Sequence, residues 1–296
     1  MPSDVAISFT ELSQRLLNEP QASLLSGILF GSQVKLPADF SDALKITGTY
    51  HVVAVSGQNM SILAGFLGKM TGMFGWKFSL VLQGAGILGY IFLVGGGASV
   101  IRSGLMALIA LFAQATGRQQ DAGRALLLTA FSMALLRPEF LTEVGWQLSV
   151  LATAGIIWLE PIIADRIKML PKFIAGAASV SLAAQLLTWP IIAYNFQSFS
   201  VIALPANVLT QLVVPWIMGL GAITLLVSQV WLGLGVILSW LTWVPLTYFV
   251  GMVESLSKVP GASLKLDAFP LGLGIIYYTL VSWGTWRFLA LKRLRR

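Results

Sequence analysis

The chain has 296 residues, 56% of them hydrophobic and only 10% charged, with a net charge of +7. Soluble domains carry about 25% charged residues, and no soluble fold of this length hides so much apolar surface, so the solvent is a bilayer. The lack of cysteine excludes disulfide frameworks, thiolate metal sites and cysteine nucleophiles together.

The first 20 residues hold no continuous apolar core, so no cleavable signal peptide is expected. Residues 1–45 contain three stretches, "TELSQRLLNE", "PQASLLSGILFG" and "PADFSDALKITG", that read as short amphipathic helices. Thr10 suits an N-cap, Pro20 and Pro37 suit first turns, and Gly31 and Gly48 suit helix ends. Leu16, Leu17, Leu24, Leu25, Ile28 and Leu29 supply an apolar face, and the expectation is an extracytoplasmic cap lying on the outer leaflet.

A crossing needs roughly 20 apolar residues in helix. Breaks at charges and turn residues give spans near Ile46–Leu67, Phe78–Gly95, Ser99–Thr116, Ala122–Leu136, Val144–Ile163, Phe173–Phe196, Val201–Val230, Trp231–Leu256 and Phe269–Leu291. The fourth is short. The run from Ser198 to Ser257 has no Lys or Arg and reads as two spans, or as two plus a half-helix, because Pro205 and Pro215 interrupt it. The fold class is therefore all-α: a polytopic helical bundle of about nine spans over 46–291, with a basic tail at 292–296. Twelve of the 19 Lys and Arg fall on one side of such a bundle, which predicts the N-terminus outside and the C-terminus in the cytoplasm.

Polar groups interrupt several spans. "HVVAVSGQNMSILAG" carries His51, Ser56, Gly57, Gln58 and Asn59 in the first. On one helix, Asn59 falls about 80° and Ser56 about 140° from His51. These groups either bond helices together or line a polar path, and Ser56-Gly57 also suits a helix opened at mid-membrane. The angle argues against a Ser56–His51 nucleophile and base, and one His with no intramembrane carboxylate pair argues against a metal. Arg102 opens the third span; a lone arginine there either snorkels to the interface or fixes a positive charge on an anion path. Gln147, Ser149 and Thr153 lie in the fifth span, Gln185, Thr188 and Pro190 in the sixth, and Asn207 and Gln211 in the seventh. Amide side chains in four separate spans exceed what packing requires and suggest a path through the bundle.

Together these residues carry a resemblance. "LLSGILFGSQVKLPADFSDALKITGTYHVVAVSGQNMSILAG" resembles the opening of the membrane core of the ComEC competence family. "SVIRSGLMALIALFAQATGR", "PEFLTEVGWQLSVLATAGI" and "SVSLAAQLLTWPIIAYNFQSFSVIALPANVLTQLVVP" resemble its later motifs, in order, from about Leu24 to about Leu225. The resemblance implies a channel importing single-stranded DNA across the bacterial inner membrane during transformation. It further implies a cytoplasmic helicase-like motor and extracytoplasmic DNA-receptor proteins as partners, and it leaves a homo-oligomer open. By position, His51, Ser56, Gly57, Arg102, Gln147, Ser149, Pro190 and Asn207 match family positions, while Asn59 stands where the family usually has histidine and Tyr50 where serine is common. Family members also carry an OB-like domain upstream and a metallo-β-lactamase-like domain downstream, neither of which this sequence contains.

The expectation is thus a non-enzymatic conduit without cofactor or metal, lined by His51, Ser56, Gly57, Asn59, Arg102, Gln147, Ser149, Gln185 and Asn207. Neutral amides and hydroxyls with few fixed cations suit a path that must release what it binds. The rivals are a secondary transporter of a small anionic or amphipathic solute and, further off, an intramembrane hydrolase.

Overall fold

The computed structural model describes residues 4–31, 35–53, 57–266 and 270–294. They form an all-helical bundle with one short ribbon. The N-terminal helices are α1 (Asp4–Leu16), α2 (Gln21–Phe30) and α3 (Ala38–Ile46). There follow α4 (Gly57–Thr71), α5 (Trp76–Val94), α6 (Ala98–Ala115), α7 (Ala122–Leu136), α8 (Val144–Trp158) and α9 (Glu160–Ile167). The remainder is α10 (Lys172–Phe196), β1 (Ser198–Ser200), α11 (Ala203–Gln211), α12 (Val214–Val230), α13 (Leu232–Ser257), β2 (Ser263–Lys265) and α14 (Leu271–Leu294).

Four helices, α5, α6, α10 and α13, are long and apolar enough to cross a membrane. The bent pairs α8–α9 (51°) and α11–α12 (44°) raise the number to six if each is one span. Nine crossings are reached if α4, α7 and α14 also traverse. The breaks fall where the sequence weakens the helix. Glu160-Pro161 opens α9, and Pro215 sits in the first turn of α12, where its missing N–H costs nothing. Large apolar side chains point outward, with Phe92 81%, Leu136 79% and Trp240 77% exposed. That is the exterior of a protein whose surroundings are hydrocarbon.

The ribbon constrains topology. Ser198, Phe199 and Ser200 pair antiparallel with Lys265, Leu264 and Ser263. The end of α10 and the end of α13 therefore meet on one face of the bundle, and an even number of crossings lies between them.

The fold departs from expectation at the N-terminal helices. α1 and α3 do keep a wet side: Glu11, Gln14 and Arg15 are exposed on α1, and Lys45 and Asp42 pair at 2.8 Å on the surface of α3. α2 does not. Every residue from Ala22 to Leu29 is buried. Leu24, Leu25 and Ile28 join Ile217 and Leu225 of α12 and Leu246, Phe249 and Val253 of α13 in the largest core cluster. An uncharged helix containing Ser23, Ser26 and Gly27 has no face that requires water, so it packs inward on all sides.

A second departure concerns the first span. No helix runs through Ile46–Leu67. α3 stops at Ile46, Gly48 turns left-handed at φ +67°, Tyr50–Val52 make one 3-10 turn, and α4 begins at Gly57. Thr47 helps to end α3, because its hydroxyl is held by the Ala43 carbonyl (2.8 Å) and the Thr49 hydroxyl (2.8 Å). A side chain at Gly48 would meet Ala203 and Ser200, so this turn requires glycine twice over, for conformation and for space. His51 therefore does not share a helix with Asn59, and the angles expected for a continuous helix do not apply.

Candidate functional site: a buried arginine between α4, α6 and α8

Arg102 lies in the second turn of α6, after Gly95-Gly96-Gly97 has ended α5 and turned the chain. It does not snorkel. Only 4% of the residue is exposed, and its head is turned into the bundle. Nε donates to Ser149 Oγ of α8 at 2.8 Å, Nη2 to Ser103 Oγ at 3.1 Å and Nη1 to Met106 Sδ at 3.2 Å. Ser149 is held in turn by Ser99, with 3.0 Å between the hydroxyls, and Ser103 donates to the Ser99 carbonyl at 2.7 Å. The positions follow from helical spacing: Ser99, Arg102, Ser103 and Met106 share one side of α6.

The third wall is the start of α4. A Cβ on Gly57 would stand 3.6 Å from Ser103 Oγ and 3.7 Å from Arg102 Nη2. These are ordinary contact distances, so the α4 backbone at Gly57 packs directly against the Arg102 head. Among the described residues Arg102 makes no ion pair; the surface pairs Lys45–Asp42, Arg124–Asp121 and Lys168–Asp165 lie elsewhere. A guanidinium has five N–H donors, and its three protein acceptors here are two hydroxyls and a thioether, all neutral. An oxyanion reaching this point would meet a full charge and a row of hydroxyls, an arrangement that attracts phosphate-like groups.

The expected site residues thus divide. Gly57, Arg102 and Ser149 come together. Asn59 is buried but faces away, its Nδ2 donating to the Ile28 carbonyl at 2.9 Å. Gln147 is half-buried and donates to the Leu141 carbonyl at 2.7 Å, closing the turn before α8. Gln185 donates to Ser181 Oγ one turn earlier on α10 at 3.0 Å. Asn207 is buried on α11 with its Oδ1 unpaired. His51 is exposed, and its Nδ1, 3.1 Å from the Gly48 carbonyl, is the nitrogen that carries the proton, since a carbonyl only accepts. Ser56 lies outside the described residues. Among residues not anticipated, Ser99, Ser103 and Met106 were signalled by their spacing from Arg102. Tyr90, which donates to the Leu29 carbonyl at 2.8 Å, carried no sequence signal.

Comparison with known proteins gives two matches. The family described as Competence protein matches residues 28–291. ComE operon protein 3 of Bacillus subtilis (strain 168) is 30% identical over 210 residues, covering 69% of this chain and 26% of that protein. The chain thus spans about a quarter of the length of this relative. No solved structure matches.

Proposed function

Since the chain belongs to the Competence protein family, the ComEC competence family, and has a role in competence for DNA uptake, we propose that it forms a conduit by which single-stranded DNA crosses the inner membrane. The observation that carries this reading is the buried charge of Arg102, which makes no ion pair among the described residues. Leaving an arginine in a bilayer-spanning bundle without a carboxylate costs several kcal/mol, a cost that folding alone does not require. A passing phosphodiester would supply the missing negative charge. The neutral frame of Ser99, Ser103 and Ser149 then holds the guanidinium in place without neutralising it, so that each phosphate is held only weakly and can leave.

In this reading the chain performs no bond-breaking step. The strand is pulled from the cytoplasmic side by a helicase-like motor and delivered from outside by receptor proteins, with the N-terminus outside and the C-terminus inside. A small anionic solute would meet the same guanidinium, and the test separates the two. Labelled DNA is supplied to cells carrying the native chain or Arg102→Leu, and the nuclease-protected cytoplasmic pool is measured. Loss of that pool while surface-bound DNA still accumulates is the expected result. An unchanged pool would overturn the conduit and leave the small anion as the candidate, to be measured as solute uptake into vesicles.

A further inference from the structure

Pro190 lies inside α10, and a proline there has no N–H to give the carbonyl four residues earlier. That carbonyl belongs to Leu186. In hydrocarbon an unpaired carbonyl must be satisfied by a neighbour, and the neighbour is α14. Tyr277 Oη donates to the Leu186 carbonyl at 2.9 Å, and Tyr278 Oη donates to the next carbonyl, Leu187, at 2.8 Å. Tyr277 thus closes the carbonyl that the proline leaves open, and Tyr278 adds a bond to the next one, for which Ile191 still carries an N–H. Trp189 fixes the approach, with its ring 5.3 Å from that of Tyr277 and 5.6 Å from that of Phe199 on β1. On the described part of α14, Ile275, Ile276, Leu280 and Trp283 are all exposed, and α10 is its principal helical contact.

We infer that Tyr277 and Tyr278 are a clasp that docks α14 on the proline-opened turn of α10, and that Pro190 sets how firmly it holds. The segment gripped is the one bearing Gln185 and Thr188, so release of the clasp frees this part of α10 to move against α8. The tyrosines are positioning residues and act through α10. The inference stands independently of DNA passage, because docking is measured without DNA.

The cysteine-free chain permits a direct test. Spin labels on cysteines at the exposed positions Asn195 and Ser282 report the separation of α10 and α14 in lipid vesicles. One narrow distance is expected in the otherwise native chain. Each hydroxyl removed by Tyr277→Phe or Tyr278→Phe should shift the docking equilibrium toward release by about three- to thirtyfold, which appears as a second, broad distance in the double variant. Phenylalanine keeps the rings, so packing alone predicts no change. In Pro190→Ala the Leu186 carbonyl regains a helical donor, and Tyr277→Phe should then change docking far less, while Tyr278→Phe keeps its effect. A single narrow distance in the double Phe variant would overturn the clasp. So would an equal effect of Tyr277→Phe with and without Pro190→Ala, which would show that its hydroxyl does not serve the carbonyl the proline opens.

Discussion

Asn59 on α4 donates through Nδ2 to the main-chain carbonyl of Ile28 on α2, 2.9 Å away and out of reach of water. Tyr90 on α5 does the same for the neighbouring Leu29 carbonyl at 2.8 Å. The last four carbonyls of a helix have no partner within it, and the end of α2 is buried. Two neighbouring helices therefore close the end of a third, and α2 is locked to α4 and α5 as well as to α12 and α13.

Removing this closure has a defined consequence. Asn59→Leu takes a side-chain donor from the buried Ile28 carbonyl, at a cost of about 1 to 3 kcal/mol. The purified protein in detergent should unfold at a lower temperature, and Tyr90→Phe should have a similar, smaller effect. Because both residues secure one helix end, the double variant should lose less than the sum of the single losses. Unfolding at the native temperature in Asn59→Leu would show that the bond is not holding α2.

Arg102 should behave in the opposite sense. Arg102→Leu removes a buried charge that has no acidic partner among the described residues, so stability should be unchanged or rise, while protected DNA should fall at least tenfold. Arg102→Lys keeps the charge but loses the planar fork that reaches Ser149, Ser103 and Met106 at once. Its uptake should lie between the two. Thermal unfolding measured beside uptake separates the roles: a protein that loses stability and uptake together would make Arg102 a structural residue.

The membrane class, the limits of α5, α7, α10 and α13, and the approximate break after α11 were legible from runs of apolar residues and from prolines, whereas the bend after α8 falls inside the single span expected over Val144–Ile163. The position of α2 was not. Its Leu24, Leu25, Ile28 and Leu29 read equally well as one face of a surface helix, and only the packing of α12 and α13 around it decides that all sides are covered. His51 was misplaced because the break between α3 and α4 depends on the fit of Gly48 against Ala203, a contact spanning more than 150 residues. Arg102 and Ser149 were both identifiable as polar intruders. That they touch required α6 and α8 to be placed side by side, which helical periodicity does not encode.

The closest approach of α8 to α10 supports a third prediction. A Cβ on Gly155 would strike the backbone carbonyl of Ala183, and a backbone atom cannot rotate away. Gly155→Val should force the two helices apart, lower the unfolding temperature by several degrees and disturb the position of Ser149, two turns earlier on α8. Gly86→Ala is the control, because the atom its Cβ would meet is the end of the flexible Leu67 side chain. A Gly155→Val chain as stable as native would mean that α8 and α10 do not pack this closely in the bilayer.

Sidedness gives the last prediction. The β1–β2 ribbon places Val201 and Leu264 near one another, and both are exposed, at 52% and 51%. Met73, between α4 and α5, and Met169, between α9 and α10, are 83% and 94% exposed. The basic residues Lys69, Lys77, Arg166, Lys168 and Lys172 flank the second pair, and basic loops stay in the cytoplasm. Single cysteines in the cysteine-free chain should therefore react with a membrane-impermeant thiol reagent in intact cells at 201 and 264, and at 73 and 169 only after the membrane is opened. Labelling of all four from outside would break the proposed topology. Opposite behaviour of 201 and 264 would contradict the ribbon itself, and with it the even number of crossings between α10 and β2.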